Sequence, residues 1–205
     1  GEHEIQILID HLHEVGSPIA NQLGRIRSPK AVEPLIKCLN ERVTWEGWRG
    51  TDGNRPRMGY CADCAAEALG KIGDKKATDP LLKATSHQFE KVRLAAIKAL
   101  AKIGDKRVLE IIFDLLKSKK PEIRNEMIEA LRNGKTSFKN DVEILKSLKM
   151  VFSSEQEPHN VIVTANAIYE LSSFETKFQS NTLVDLFNSK IDEYQFEGLI
   201  YEETR

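Results

Sequence analysis

The chain lacks any run of about 18 consecutive apolar residues, and with it a helix able to span a bilayer. It also lacks the charged-then-apolar leader of a secretory signal. It opens on Gly1 rather than Met, the mark of a tag remnant or of a cut from a longer protein. Cysteine is scarce: three residues, an odd number, do not make a disulfide framework, and a reducing cytosol is the expected setting. Aromatic residues make up only 7%, and no aromatic-rich stretch offers a stacking platform for single-stranded nucleic acid. Strand signals are missing too: alternating β-branched runs are few, and no Asn-Gly turn joins two of them. A dominant charge is absent, the net being −1. That near-neutrality hides a pattern, with residues 1–70 at −2, 71–139 at +8 and 140–205 at −7.

What the chain does have is an internal repeat. Cys61 to Asp74 aligns with Val92 to Asp105 at an offset of 31 residues, and a further 31 brings Ile123 to Leu131 into register. Upstream, Ile19 to Ile26 matches Ala65 to Ile72, and Ala31 to Lys37 matches Ala77 to Lys83, both at an offset of 46. Each unit reads as two helices. The first, A, is typified by Val108 to Leu116, with apolar residues at helical spacing. The second, B, is typified by Val92 to Ile103. Its alanines at 95, 96, 99 and 101 permit close packing and favour helix. Gly73-Asp74 and Gly104-Asp105 stop helix B, and Pro34, Pro80 and Pro121 sit near helix starts, where a missing N–H does least harm. A lone helical hairpin cannot bury its apolar face, so stacked neighbours must do it for each other. The expected fold is all-α, a right-handed α-α superhelix of about five helical hairpins over residues 1–205 as a single domain. The repeats are clear over 15–134 and degenerate over 135–205. There Asp141 to Phe152 and Val161 to Leu171 read as a helix pair, and Asn181 to Ile191 as one more helix.

The signature Ala-Leu-Gly-x-Ile-Gly-Asp, followed by a proline-tolerant Leu-Leu helix, resembles the HEAT-like repeat of phycobilin lyases. The resemblance implies that the turn aspartate pairs with the arginine of a B helix. Asp74 with Arg93, and Asp105 with Arg124, each 19 residues apart, are the matching residues and would form a structural ladder, capping helix turns or pairing along the stack. Some HEAT-repeat hydroxylases hold two irons through His-Glu pairs in helix B. The matching positions here are Ser17-Pro18, Asp63-Cys64, Leu94-Ala95 and Asn125-Glu126, so a di-iron centre is not expected. His11 and His13 point about 200° apart on a helix and cannot share a metal there. Cys61 and Cys64 form a Cys-x-x-Cys, with Cys38 on the preceding helix. Zinc or redox chemistry is one reading, but the register puts all three at core positions, where cysteine acts as a small hydrophobe.

One departure from the repeat stands out. The 46-residue offset means 15 extra residues between helices A and B of one unit, from Val43 to Arg57. This insertion holds both tryptophans of the chain, Trp45 and Trp48, together with Arg49, Arg55 and Arg57, and it abuts the mouth of helix B at Tyr60. In this unit Ser28 replaces the ladder aspartate and Ala62 the arginine. Long loops on rigid scaffolds are commonly functional, and Trp and Arg are favoured hot-spot residues. The alternative is a decorative loop folded back on the stack. A second candidate is the basic stretch around Lys91, Lys98, Lys102, Lys106 and Arg107, which suits a phosphate backbone, an acidic protein or plain solvation. The leading expectation is a non-catalytic, cytoplasmic scaffold that binds a protein partner, with no metal, no cofactor and no catalytic residue. A bilin-lyase-like enzyme or subunit, holding an acidic ligand through the Trp/Arg loop, is the first alternative. Nucleic-acid binding through the basic repeats is the second.

Overall fold

Apolar residues recurring at helical spacing give helices throughout the computed structural model, which describes residues 1–40, 61–138 and 141–172. The helices are α1 (Glu2–Asp10), α2 (Leu12–Val15), α3 (Ser17–Ile26), α4 (Val32–Asn40), α5 (Cys61–Ile72), α6 (Thr78–Ala84), α7 (Glu90–Ile103), α8 (Leu109–Leu115), α9 (Pro121–Asn133), α10 (Lys135–Phe138), α11 (Val142–Ser154) and α12 (Pro158–Leu171). The described residues contain no strand. The chain divides into two compact units, Gly1–Ile112 and Phe113–Arg205, with the division falling inside α8. Helices α3, α5, α7, α9 and α12 are B helices; α4, α6, α8 and α11 are A helices.

Local chemistry sets the ends. Gly104 stops α7 at φ 85°, donating its N–H to Leu100 O, while Asp105 N–H reaches the same carbonyl. This is the double closure that a left-handed glycine allows. Gly73 takes the same place after α5 at φ 79°. After α3 the matching residue is Arg27, which adopts φ 57° without glycine's freedom from steric cost. The aspartate after each glycine then starts a short 3-10 turn. Asp74 accepts the Lys76 N–H at 2.9 Å, and Asp105 accepts the Arg107 N–H at 2.9 Å. Ser28, at the matching place, makes no side-chain cap. Replacing Asp74 with Ala should therefore cost about 1 kcal/mol in urea unfolding, the usual loss for a cap. An unchanged midpoint would remove that role.

In the first unit the B helices pack on one another, α3 on α5 and α5 on α7, and each A helix packs on the B helix of its hairpin. The core is the stripe that repeats along them: Ala20 and Leu23, then Ala66 and Leu69, then Ile97 and Leu100, each 0–2% exposed. Small residues let the backbones touch. A Cβ on Gly24 would lie 2.8 Å from Ala68 Cα, and one on Gly70 would lie 2.7 Å from Ala99 Cα. In the second unit α12 packs on α9 and α11 on α12, around Met127, Leu131, Leu148, Phe152 and Ile168, all 0% exposed. The sequence expectation of a helix pair at 141–152 and 161–171 is met by α11 and α12. The helix expected at 181–191 lies outside the described residues.

Candidate interaction surfaces

The B helices start at the A-to-B turns, and these turns are held by arginine. Arg93, in the first turn of α7, donates through Nη1 to the carbonyls of His87 at 2.8 Å and Gln88 at 3.1 Å. Arg124, at the matching place in α9, donates through Nη1 to Ser118 O at 2.8 Å. Both close the turn of their own hairpin. Of the two roles expected for the ladder aspartates, the pairing is thereby corrected and the capping is met: among the described residues Asp74 does not bond Arg93, nor Asp105 Arg124. Each aspartate is consumed at the opposite end of the hairpin, as a turn cap. Asp105 also pairs with its neighbour Arg107, which reaches on to Asp79 of α6 at 3.1 Å. The Arg107 hydrogen bonds hold the Asp105 carboxyl below the usual carboxylate range.

Arg124 has a second role that sequence reasoning missed. Its Nε and Nη2 form a two-pronged ion pair with the Glu155 carboxylate at 2.7 and 2.5 Å. Burial of Glu155 pushes its carboxyl up, but the Arg124 bonds and charge and the N–H groups of Glu157 and Gln156 outweigh it. The group sits below its ordinary value of 4.5. Buried Asn160 adds a bond to Pro121 O at 2.9 Å, tying the start of α12 to the start of α9. At the other end, Arg132 of α9 bonds Glu129 at 2.6 Å and Glu170 of α12 at 2.7 Å. Glu155 lies where the repeat has decayed, so no register pointed to it.

The inserted segment, with Trp45, Trp48, Arg49, Arg55, Arg57 and Tyr60, lies outside the described residues. Its anchors do not. It leaves after Asn40, the last residue of α4, and returns at Cys61, the first of α5. These anchors mark an A-to-B turn, and the next such turn exposes Phe89, 42% accessible, with its ring 5.5 Å from that of His87. The basic stretch is dispersed. Lys91 and Lys102 are exposed on α7 and Lys98 is half-buried on the same stripe, while Lys106 and Arg107 sit on the following turn. The neighbouring stripe of α5 carries Asp63 and Glu67, so the face is of mixed sign.

Cys38, 5% exposed on α4, is held in a disulfide. This corrects the expectation of three reduced core cysteines: an odd count excludes a framework but leaves room for one bridge. Cys64 is a free thiol, half-buried, within 3.7 Å of Asn21 Nδ2. Burial pushes its pKa up. His11 lies 2.8 Å from Ile7 O through Nδ1, and the His13 side chain is outside the described residues. No described helix is long and apolar enough to cross a membrane.

Comparison with known proteins follows the same lines. A family model described as HEAT repeats matches residues 63–132 and 78–168, and one described as PBS lyase HEAT-like repeat matches 19–41. No curated protein matches the sequence. Among solved structures, the chain is similar to one in the complex of CpcE and CpcF of phycocyanin lyase from Nostoc sp. PCC7120. The TM-score is 0.59 at 23% identity, and the match covers 82% of this chain and 64% of that one. The chain thus spans less than two thirds of that relative's length, and the likeness is one of fold.

Proposed function

The chain belongs to the HEAT-repeat family, and from that membership we propose that it is a non-catalytic interaction module whose specificity resides in the insertion at residues 43–57. One observation carries the reading. The repeat register breaks once, at the turn between α4 and α5, while those two helices still pack on each other as α6 does on α7. The scaffold therefore does not need the extra residues, and they gather Trp45, Trp48 and three arginines in one stretch of sequence. A Trp ring buries about 150–250 Å² on contact, and arginine adds bidentate or stacking contacts. Replacing residues 45–57 with a short Gly-Ser turn should leave the helical circular dichroism and the unfolding midpoint in place. Affinity for the partner captured by the intact chain should fall by at least about 2 kcal/mol, read by calorimetry. Unchanged affinity in a folded, loop-replaced chain overturns the assignment.

A second reading is favoured by the PBS-lyase-type match at 19–41 and by the likeness to a chain of a lyase complex: a subunit of a bilin-lyase-like assembly. In that case the same arginines would hold the carboxylates of the ligand. Co-expression with a bilin would give a coloured protein, and loop replacement would bleach it. A colourless intact chain rejects this reading without touching the first.

A further inference from the structure

The far ends of the B helices carry a feature that the insertion does not explain. Arg25, Lys71 and Lys102 occupy one repeat position, at offsets of 46 and 31, in the last turns of α3, α5 and α7. The residues just before them, Leu23-Gly24, Leu69-Gly70 and Leu100-Ala101, are all buried, so the three cations follow the core at the same place. The helices are in backbone contact near that level, at Gly24 against Ala68 and Gly70 against Ala99. Lys71 leans onto α3: its Cδ lies 3.4 Å from where a Cβ on Gly24 would be. Helices this close have axes about 8–10 Å apart, near the screening length of physiological salt. The charges are also largely unspent. Arg25 and Lys102 make no hydrogen bond or ion pair among the described residues, and Lys71 only approaches Glu67, at 3.9 Å. Arg132, in the last turn of α9, shows the contrast, being consumed by Glu129 and Glu170.

We propose that Arg25, Lys71 and Lys102 form a cationic row, laid across three B helices, that binds an extended acidic segment of a protein partner. An extended chain presents side chains to one side about every 7 Å, close to one carboxylate per helix. A nucleic-acid backbone fits less well. Asp63 and Glu67 lie along the same stripe of α5 as Lys71, two turns and one turn earlier, and would repel a continuous run of phosphates. The proposal rests on the reading of the chain as a protein-binding module, but Lys71 sits roughly 15 Å along α5 from Cys61 at its start.

The test uses a fluorescein-labelled octaglutamate peptide and the full chain, with anisotropy read at roughly 0.05 and 0.15 M salt. The triple variant R25Q/K71Q/K102Q should bind at least about tenfold more weakly than the native chain. The control K75Q/K76Q/K83Q removes the same charge from the exposed A side and should stay within about twofold. Both variants are first shown to unfold at the native midpoint, these being accessible side chains. Equal weakening of both, or of neither, overturns the row. A short DNA duplex that binds more tightly than the peptide and is lost with the row overturns the acidic-protein partner. The loop-replaced chain should retain octaglutamate binding whether or not the insertion proves functional. Loss there with the row intact would assign the anion to Arg49, Arg55 and Arg57 instead.

Discussion

Arg124→Leu should destabilise the second unit by about 3–5 kcal/mol, enough to approach the whole stability of a small domain. The reason is what it leaves behind. Glu155 has a side chain that is 0% accessible, and Arg124 is its charge partner through two prongs. Removing the arginine strands a carboxylate in the interior and also frees the Ser118 carbonyl. The double variant Arg124→Leu with Glu155→Leu should recover much of the loss, because the pair itself is worth far less than half of it left alone. Linkage supplies a second readout. The folded pKa of Glu155 is depressed below 4.5, so its contribution is present above that value and is lost as pH falls through the folded one. Urea midpoints of the native chain should drop in that acid range, and those of the double variant should drop less. A single variant that unfolds with the native chain would refute the buried-pair account.

Gly70→Leu should cost about 3 kcal/mol or more, read as the shift of the urea midpoint. Two effects oppose each other here. Leucine is the better helix former by up to about 1 kcal/mol. Against it stands a Cβ placed 2.7 Å from Ala99 Cα and 2.8 Å from Ala99 Cβ, a separation real atoms do not adopt. Backbone must move, and overpacking that shifts backbone costs about 1–3 kcal/mol or above before the rest of the leucine is housed. Gly70→Ala should show the same sign at smaller size. Adding Ala99→Gly should restore only part, since the nearest atom is the backbone Cα and stays. If Gly70→Ala stabilises the chain, the α5–α7 approach is looser than described and the spacing of the cationic row widens with it.

These two residues also mark how the two kinds of contact divide the labour. Near Gly70 the first unit is held by small residues and backbone proximity, which bury apolar surface and leave Arg25 and Lys102 at the far helix ends unspent among the described residues. In the second unit the same helix class is clamped by Arg124 with Glu155 and by Arg132 with Glu170, so its charges are consumed internally. A surface that is to bind ions must have ions to spare, and the first unit has them at Arg25 and Lys102.

The sequence by itself determined the helices and their ends. Apolar spacing, the alanines of α7, the left-handed glycines at 73 and 104 and the caps at Asp74 and Asp105 act within a few residues, and local physics is readable locally. It also located the break in the repeat, because a change of register needs no coordinates. What only the tertiary structure decided is where the charges go. Asp74 with Arg93 looked like a pair on repeat analogy, yet both ends of each hairpin had nearer partners in their own turns. Glu155 had no register to announce it, and its burial depends on α9 and α12 meeting at both ends. The row of Arg25, Lys71 and Lys102 was spread over 77 residues of chain. It became one surface only because glycine and alanine bring three helix backbones into contact, a distance set by packing and not by any single helix.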